Sequence, residues 1–203
     1  MKKTFYFFLI LTFIILISSI NIFLKINSDF HHIIGININL CLYLLIILIC
    51  VFVINRIFRK AHLEYSKNYR KDIKNAFANS FFISSIISMV SAFIIYGFLE
   101  NILELIHLKE GLINYCIFAS KIWFISSPFI GLEIAVFKYY SEIEYLKVPI
   151  ELLIYKLLAF FIISFLFYAD RKTNCFIYAK PLCDIIFLFY YTKICFDITL
   201  NKA

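Results

Sequence analysis

At 203 residues, the chain is 63% hydrophobic and only 16% charged, and it contains 25 Phe and 14 Tyr. This composition excludes a soluble globular protein of that size, because the surface would be too apolar for water, so lipid is the expected solvent. The net charge of +7 does not predict a nucleic-acid partner, because the largest group of basic residues lies in one short loop between apolar segments.

Six stretches of the chain are each long enough to cross a hydrocarbon core of roughly 30 Å, which requires about 20 apolar residues per helix. They are residues 4–24, 33–55, 75–99, 111–137, 148–169 and 173–192. The first three contain no charged residue, whereas each of the last three contains two. No Pro-rich or Gly/Ser-rich linker divides the chain. We therefore predict an all-α polytopic membrane protein in which residues 1–203 form a single six-helix transmembrane bundle.

The first of these stretches has an alternative interpretation as a secretory signal peptide, because Met-Lys-Lys precedes the apolar run. The run is longer than the roughly 7–15 apolar residues of a signal peptide, and no small-x-small cleavage site follows it. We therefore predict a retained first helix. Cleavage would leave five spans.

Basic residues concentrate between the second and third spans and predict the orientation of the bundle. This loop contains Arg56, Arg59, Lys60, Lys67, Arg70, Lys71 and Lys74. Short loops rich in Lys and Arg stay in the cytoplasm. With the N-terminus inside, thirteen basic residues lie on the cytoplasmic side and four outside. This bias predicts a protein of the inner (cytoplasmic) membrane with both termini cytoplasmic. Besides setting topology, the loop has membrane lipid as an expected partner, since anionic headgroups attract Lys and Arg.

Small residues recur every four positions in the third span, at Ser84, Ser88 and Ala92. On a helix this spacing forms one narrow face that a neighbouring helix can approach closely, so we predict a packing surface. The six Cys include no C-x-x-C pair, and the four His are dispersed. Without a phosphate-binding loop or a Ser/His/Asp pattern, the sequence predicts no catalytic residue, no metal site, no bound cofactor and no enzymatic activity.

Five ionisable residues inside the spans are the strongest candidates for a functional site: Lys121, Glu133, Lys156, Lys180 and Asp184. A charge near the bilayer centre costs at least about 2.5–3.5 kcal/mol on insertion scales, so such residues usually face a bundle interior or an aqueous path. We assign all five to a candidate substrate or ion path.

Spacing limits how these charges can pair within their own helices. Lys121 and Glu133 lie roughly 18 Å apart along one helix at 1.5 Å per residue, so they cannot pair with each other and each needs a partner elsewhere. The alternative for Glu133 is extension towards the cytoplasmic membrane surface. Lys156 lies too deep to reach the cytoplasmic surface easily. Lys180 and Asp184 are four residues apart on one helix face, where a local ion pair would lower the cost of both charges.

Two prolines lie within predicted spans. Pro128 falls between Lys121 and Glu133, and Pro181 follows Lys180. Because proline removes a helical hydrogen bond and clashes with the preceding turn, both positions predict helix kinks.

Several local patterns from about residue 68 to the end are shared with one transporter family. They are the basic stretch 68–76, the acidic turn 99–106, the Ser-Ser-Pro segment 126–132, the Phe-Lys-Tyr-Tyr exit 137–140 and the closing run 177–186. The last contains a small-x-Pro-x-x-Asp pattern from Ala179 to Asp184. In these features the chain resembles the C-terminal lobe of a multidrug and toxic compound extrusion (MATE) transporter.

This resemblance implies one of two six-helix lobes that together enclose a cavity for substrate and coupling cation. The chain has the length of one lobe, so the second would be a separate chain or a second copy. The implied activity is alternating-access antiport or flipping of amphiphilic or cationic solutes, with coupling to a Na⁺ or H⁺ gradient.

Two departures from the family pattern leave a second interpretation open. Residues 54–68 contain no Gly, where the family has a Gly-rich stretch, and the first span lacks the acidic residue with which many members bind the cation. The alternative is a membrane accessory or scaffold protein, or a gene remnant, without transport activity.

Overall fold

A computed structural model describes residues 30–63, 69–105, 107–143, 145, 147–171 and 175–200. The predicted first span, 4–24, and its interpretation as a signal peptide lie outside these residues. Within the described part, the chain forms seven helices and no strand, which confirms the all-α prediction there. The helices are α1 (Phe30–Leu63), α2 (Tyr69–Gly97), α3 (Leu99–Leu105), α4 (Glu110–Phe124), α5 (Ser127–Glu142), α6 (Lys147–Arg171) and α7 (Cys175–Leu200).

Three of the described helices are long and apolar enough to cross a membrane by themselves: α1 over Ile34–Lys60, α2 over Ile73–Gly97 and α6 over Lys147–Tyr168. The consecutive helices α4 and α5 add a fourth candidate span if they are taken together. The large exposed apolar side chains of α1, α2 and α6, such as Phe52, Phe82 and Phe165, are what is expected of a surface that faces lipid. The described part is therefore an all-helical protein with three to four candidate membrane spans.

The predicted fourth span is broken into α4 and α5, which meet at an angle of 55°. The break lies at Ile125 and Ser126, just before Pro128 in the first turn of α5. Pro128 has no N–H to donate to a preceding carbonyl, and its ring disfavours a continuous helix through the residues before it. The amide of Ser126 instead donates to the Trp123 carbonyl over 3.1 Å. The bend thus lies next to Pro128, where the sequence predicted a helix kink.

The predicted basic loop is largely helical on both sides of residues 64–68, which are not described. The helix α1 continues past Asn55 through Arg56, Arg59 and Lys60, and α2 already includes Lys74. No Gly or Pro interrupts residues 54–63, and Phe58 anchors the extension because it is only 1% exposed. At 1.5 Å per residue, α1 is about 51 Å long, well beyond the hydrocarbon thickness.

The acidic turn after α2 also forms a helix, α3. Its Leu99 and Leu103 are spaced four residues apart and are both buried. They pack with Leu112 and Cys116 of α4 in a small second apolar cluster. This cluster holds α3 against the beginning of α4.

The most extensive helix packing in the described part of the chain is between α2 and α5. Ser84 and Ser88 are fully buried, and Ala92 is nearly so. The Ser84 hydroxyl donates to the Gly131 carbonyl over 2.9 Å, and a Cβ at Gly131 would overlap the backbone of Ser84. The predicted small-residue packing face is confirmed, with Gly131 as its partner on α5.

Candidate functional site

Four of the five predicted site residues form one chain of ion pairs, here called the charge network. The Lys156 Nζ lies 2.5 Å from the Glu133 Oε2 and 2.8 Å from the Asp184 Oδ1. The other Asp184 oxygen, Oδ2, lies 2.6 Å from the Lys180 Nζ. The order Glu133–Lys156–Asp184–Lys180 alternates in sign and has no net charge.

The charge network connects three helices in the interior of the protein. Glu133 lies on α5, Lys156 on α6, and Lys180 and Asp184 one turn apart on α7. Asp184 is only 3% exposed and accepts from both lysines, whereas the Glu133 side chain at the other end is 20% exposed. Because one ammonium bridges carboxylates on two other helices, the network couples the positions of α5, α6 and α7.

Polar and aromatic groups complete the surroundings of Lys180. Its Nζ donates to the Tyr43 hydroxyl over 2.5 Å and to the Ser126 Oγ over 3.1 Å. It also lies 3.8 Å from the centre of the Tyr43 ring and 5.8 Å from that of Trp123. Such contacts with aromatic faces stabilise a desolvated ammonium. Tyr43 adds α1 to the helices around the network, and Ser126 adds the break between α4 and α5.

The Ser126 hydroxyl in turn donates to the Trp123 carbonyl over 2.9 Å. At the other lysine, the Tyr191 ring centre lies 6.0 Å from the Lys156 Nζ. Each charged group of the network has an oppositely charged group within 2.8 Å. A buried charge needs such a partner to offset its loss of hydration.

The local pair predicted for Lys180 and Asp184 is present. Glu133, for which extension towards the membrane surface was the alternative, instead binds Lys156 in the interior. The helix α7 continues without a break through Pro181.

Lys121 does not join the network. It is exposed and lines a separate cleft with a volume of about 340 Å³ between α2 and the α4–α5 break. The five residues predicted to form a substrate or ion path therefore lie in two places. Four form the closed charge network, and Lys121 lines an open cleft.

Sequence reasoning missed a second buried ion pair, between Lys138 and Glu142 of α5. Their charged atoms lie 2.5 Å apart, and both side chains are largely buried. Lys138 is one of the thirteen basic residues that the sequence places on the cytoplasmic side. The spacing of four residues between opposite charges was the available signal, but nothing local indicated that neighbouring helices would cover the pair.

Tyr43 and Ser126 were also missed, since hydroxyl residues in apolar helices give no sign of a charged partner elsewhere. Asn39 lies on α1. It is buried, and its side-chain amide donates to the Gly35 carbonyl over 2.9 Å and to the Cys116 carbonyl of α4 over 3.4 Å. The Ser120 hydroxyl donates to its amide oxygen, so Asn39 connects α1 to α4.

Among the residues with a described position, no group of three or more His, Cys, Asp or Glu side chains could hold a metal ion. The charge network itself consists of ion pairs and hydrogen bonds. Lysines and carboxylates in this arrangement can exchange partners when helices move, or when a proton or cation occupies one of the carboxylates.

No protein-family model, curated protein or solved structure matches this chain.

Proposed function

We propose that the chain is a membrane carrier subunit that forms one lobe of an alternating-access transporter, in the manner of the MATE family that its sequence resembles. The single observation that carries the proposal is the charge network, because buried charges in membrane helices are costly and usually belong to a transport path. The full bundle would have six spans in the inner membrane, with both termini cytoplasmic. A second lobe, from another chain or a second copy, would complete the cavity for amphiphilic or cationic solutes.

The position of Glu133 suggests how the network would couple to an ion gradient. Glu133 is the more exposed of the two carboxylates and has Lys156 as its ion-pair partner, whereas Asp184 is shared by two lysines. A proton or Na⁺ that binds Glu133 would compete with Lys156 and loosen the connection between α5 and α6. The break at Ser126 provides a place where α5 can move relative to α4 while the apolar packing of each helix is kept.

We expect Glu133→Gln to abolish gradient-driven transport, because the amide cannot exchange a proton or bind Na⁺ as a carboxylate does. The measurement is uptake of tetraphenylphosphonium into proteoliposomes under an imposed Na⁺ or pH gradient. The control is Glu151→Gln, which alters an exposed carboxylate on the adjacent helix α6 and should leave uptake unchanged. If the wild type takes up tetraphenylphosphonium and both variants retain that uptake, the result would contradict the role of Glu133.

The requirement for a second lobe predicts an assembly larger than one chain. Extraction in mild detergent followed by native mass spectrometry should give either a dimer of the 24.1 kDa chain or an equimolar complex with a second polytopic protein. A lone monomer that also shows no uptake would argue against a carrier.

One observation favours an accessory or scaffold protein as the second candidate function. The charge network is fully paired, and the described cleft does not reach any of its four residues. A closed network of this kind also fits a purely structural connection between helices. Absence of uptake together with a stable complex with another membrane protein would support this alternative.

A further inference from the structure

The ammonium of Lys180 lies inside a cage of aromatic and polar groups from α1, α4, α7 and the break between α4 and α5. Its Nζ is 3.8 Å from the Tyr43 ring centre and 5.8 Å from that of Trp123, and the two rings meet edge to face with centres 6.1 Å apart. Asp184 supplies the opposite charge at 2.6 Å, and the Ser126 Oγ accepts a hydrogen bond over 3.1 Å. We call Tyr43, Trp123, Ser126 and Asp184 the cation cage.

The groups of the cation cage are those by which proteins recognise organic cations. The face of an aromatic ring attracts a positive charge, most strongly for Trp, and the attraction grows when water is excluded. Trp123 is 1% exposed and Asp184 is 3% exposed, so the cage is shielded from water. A site suited to a cationic ligand is therefore already assembled, and a lysine of the protein occupies its centre.

Lys180 does not satisfy every group of the cage. The indole Nε1–H of Trp123 is buried and has no hydrogen-bond partner in the part of the chain that the structure describes. A lysine ammonium has three donors and no acceptor, so Lys180 cannot accept from this N–H. A buried donor without a partner is destabilising. A ligand that carries an acceptor beside its positive charge would supply what the lysine lacks.

The charge network can release Lys180 without leaving a carboxylate unpaired. Asp184 keeps its second ion pair, with the Lys156 Nζ at 2.8 Å, and Lys156 also keeps its contact with Glu133. The lysine ammonium is carried on a flexible stem of four carbons. It can therefore leave the cage by rotation of its side chain while α7 stays in place.

We propose that the cation cage is a binding site for an organic cation, and that Lys180 is a built-in competitor that occupies the cage when no ligand is bound. The inference rests on the proposed function, for which it names the site and the solute class, a cation with its charge on an alkylated nitrogen. The structure is then the ligand-free form, in which the lysine closes the site.

Charge balance adds a pH dependence to this exchange. In the described part of the chain, the titratable groups around Lys180 are Tyr43 of α1, Glu133 of α5, Lys156 of α6 and Asp184 of α7. They already balance one another with Lys180 charged, so a bound cation adds one charge unless Lys180 becomes neutral. We expect Lys180 to release one proton to water for each cation bound. The affinity should then rise about ten-fold per pH unit between about pH 6 and about pH 8.

The fluorescence of Trp123 reports on the cage directly, because it is the only Trp in the chain. The probe is 1-methylnicotinamide, a flat pyridinium cation that quenches indole fluorescence on contact and carries a carboxamide oxygen as an acceptor. Wild type in detergent should show saturable quenching. Nicotinamide, which lacks the methyl group and the charge, should show only quenching that does not saturate. The comparison separates binding of a cation from random collision.

Lys180→Ala removes the competitor and should raise the affinity for the probe at least about ten-fold, because the fraction of protein with a vacant cage no longer limits binding. The rise of affinity with pH should disappear in the same variant. The matched control is Lys156→Ala, which also leaves the network with one ammonium but keeps Lys180 between the rings. Its affinity should stay close to that of wild type.

Tyr43→Leu tests the cage with both lysines in place. It removes one ring and should weaken binding about ten-fold, whereas Tyr43→Phe keeps the ring and should weaken binding far less. The inference is overturned if Lys180→Ala binds no better than wild type, if Lys156→Ala gains as much, or if Tyr43→Leu binds as tightly as wild type. A wild-type affinity that does not change with pH would also overturn it, and that measurement needs no variant.

These outcomes are distinct from those of the transport assay. Saturable quenching with the expected responses supports the cation cage even if the chain shows no uptake of tetraphenylphosphonium. Uptake by wild type together with any of the contrary binding results would leave a carrier whose cation site lies elsewhere.

Discussion

Lys156→Met is expected to destabilise the protein by about 3–5 kcal/mol, the usual effect of removing one partner from a buried ion pair. The substitution keeps most of the side-chain volume, but it leaves Glu133 without an ion-pair partner and Asp184 with a single ammonium, that of Lys180. The measurement is thermal unfolding in detergent, followed with a thiol-reactive fluorophore. Four cysteines are buried in the folded protein and become reactive when it unfolds, namely Cys50, Cys116, Cys175 and Cys183.

The matched control removes a lysine from an exposed pair on the same helix. Lys147 and Glu151 are 3.9 Å apart, with side chains 71% and 48% exposed. Pairs of this kind contribute about 0–1 kcal/mol, so Lys147→Met should hardly change the unfolding temperature. The double variant Lys156→Met/Glu133→Gln restores neutrality and should recover part of the lost stability. Equal unfolding temperatures for Lys156→Met and Lys147→Met would show that the network does not hold the helices together.

Gly131→Ala is expected to destabilise the protein by about 1–3 kcal/mol, the usual effect of overpacking a tight contact. A Cβ at Gly131 would overlap the carbonyl group of Ser84 and lie 2.7 Å from the Ser85 nitrogen. These are backbone atoms of a helix, so no side chain can rotate away and α5 must move from α2. The same unfolding assay measures the loss.

Gly111→Ala is the control for this substitution, since nothing lies within 4 Å of a Cβ at Gly111 on α4. Alanine favours helix over glycine by about 0.5–1 kcal/mol, so this variant should be unchanged or slightly more stable. If Gly111→Ala loses as much stability as Gly131→Ala, the contact of residue 131 with Ser84 is not the cause of the loss.

Local sequence patterns predicted the parts of the structure that depend on neighbouring residues. Long uncharged runs predicted the apolar helices α1 and α2, because their composition requires lipid. Pro128 predicted a bend in the fourth span, since it cannot donate a helical hydrogen bond. The spacing of Lys180 and Asp184 predicted their pairing on one helix face.

Local sequence patterns predicted the ends of the helices less well. Hydropathy marks where a chain enters lipid, whereas helix formation continues as long as the backbone is favourable and one face can pack. For this reason α1 extends to Leu63, and the acidic turn after Gly97 forms the helix α3. Phe58 and Leu103, which anchor these two segments, have no distinctive local pattern.

Sequence patterns were sufficient to predict that the described part of the chain is all-helical, with helices apolar enough for three to four membrane spans, and to identify the charges inside the apolar segments. The pairing of Lys156 with both Glu133 and Asp184, and the position of Lys121 at an open cleft, became evident only from the folded arrangement of the helices. The physical reason is that pairing within one helix depends on residue spacing, whereas pairing between helices depends on their rotation and depth. Close contacts such as that of Gly131 with Ser84 set that rotation and depth, and no local pattern records them.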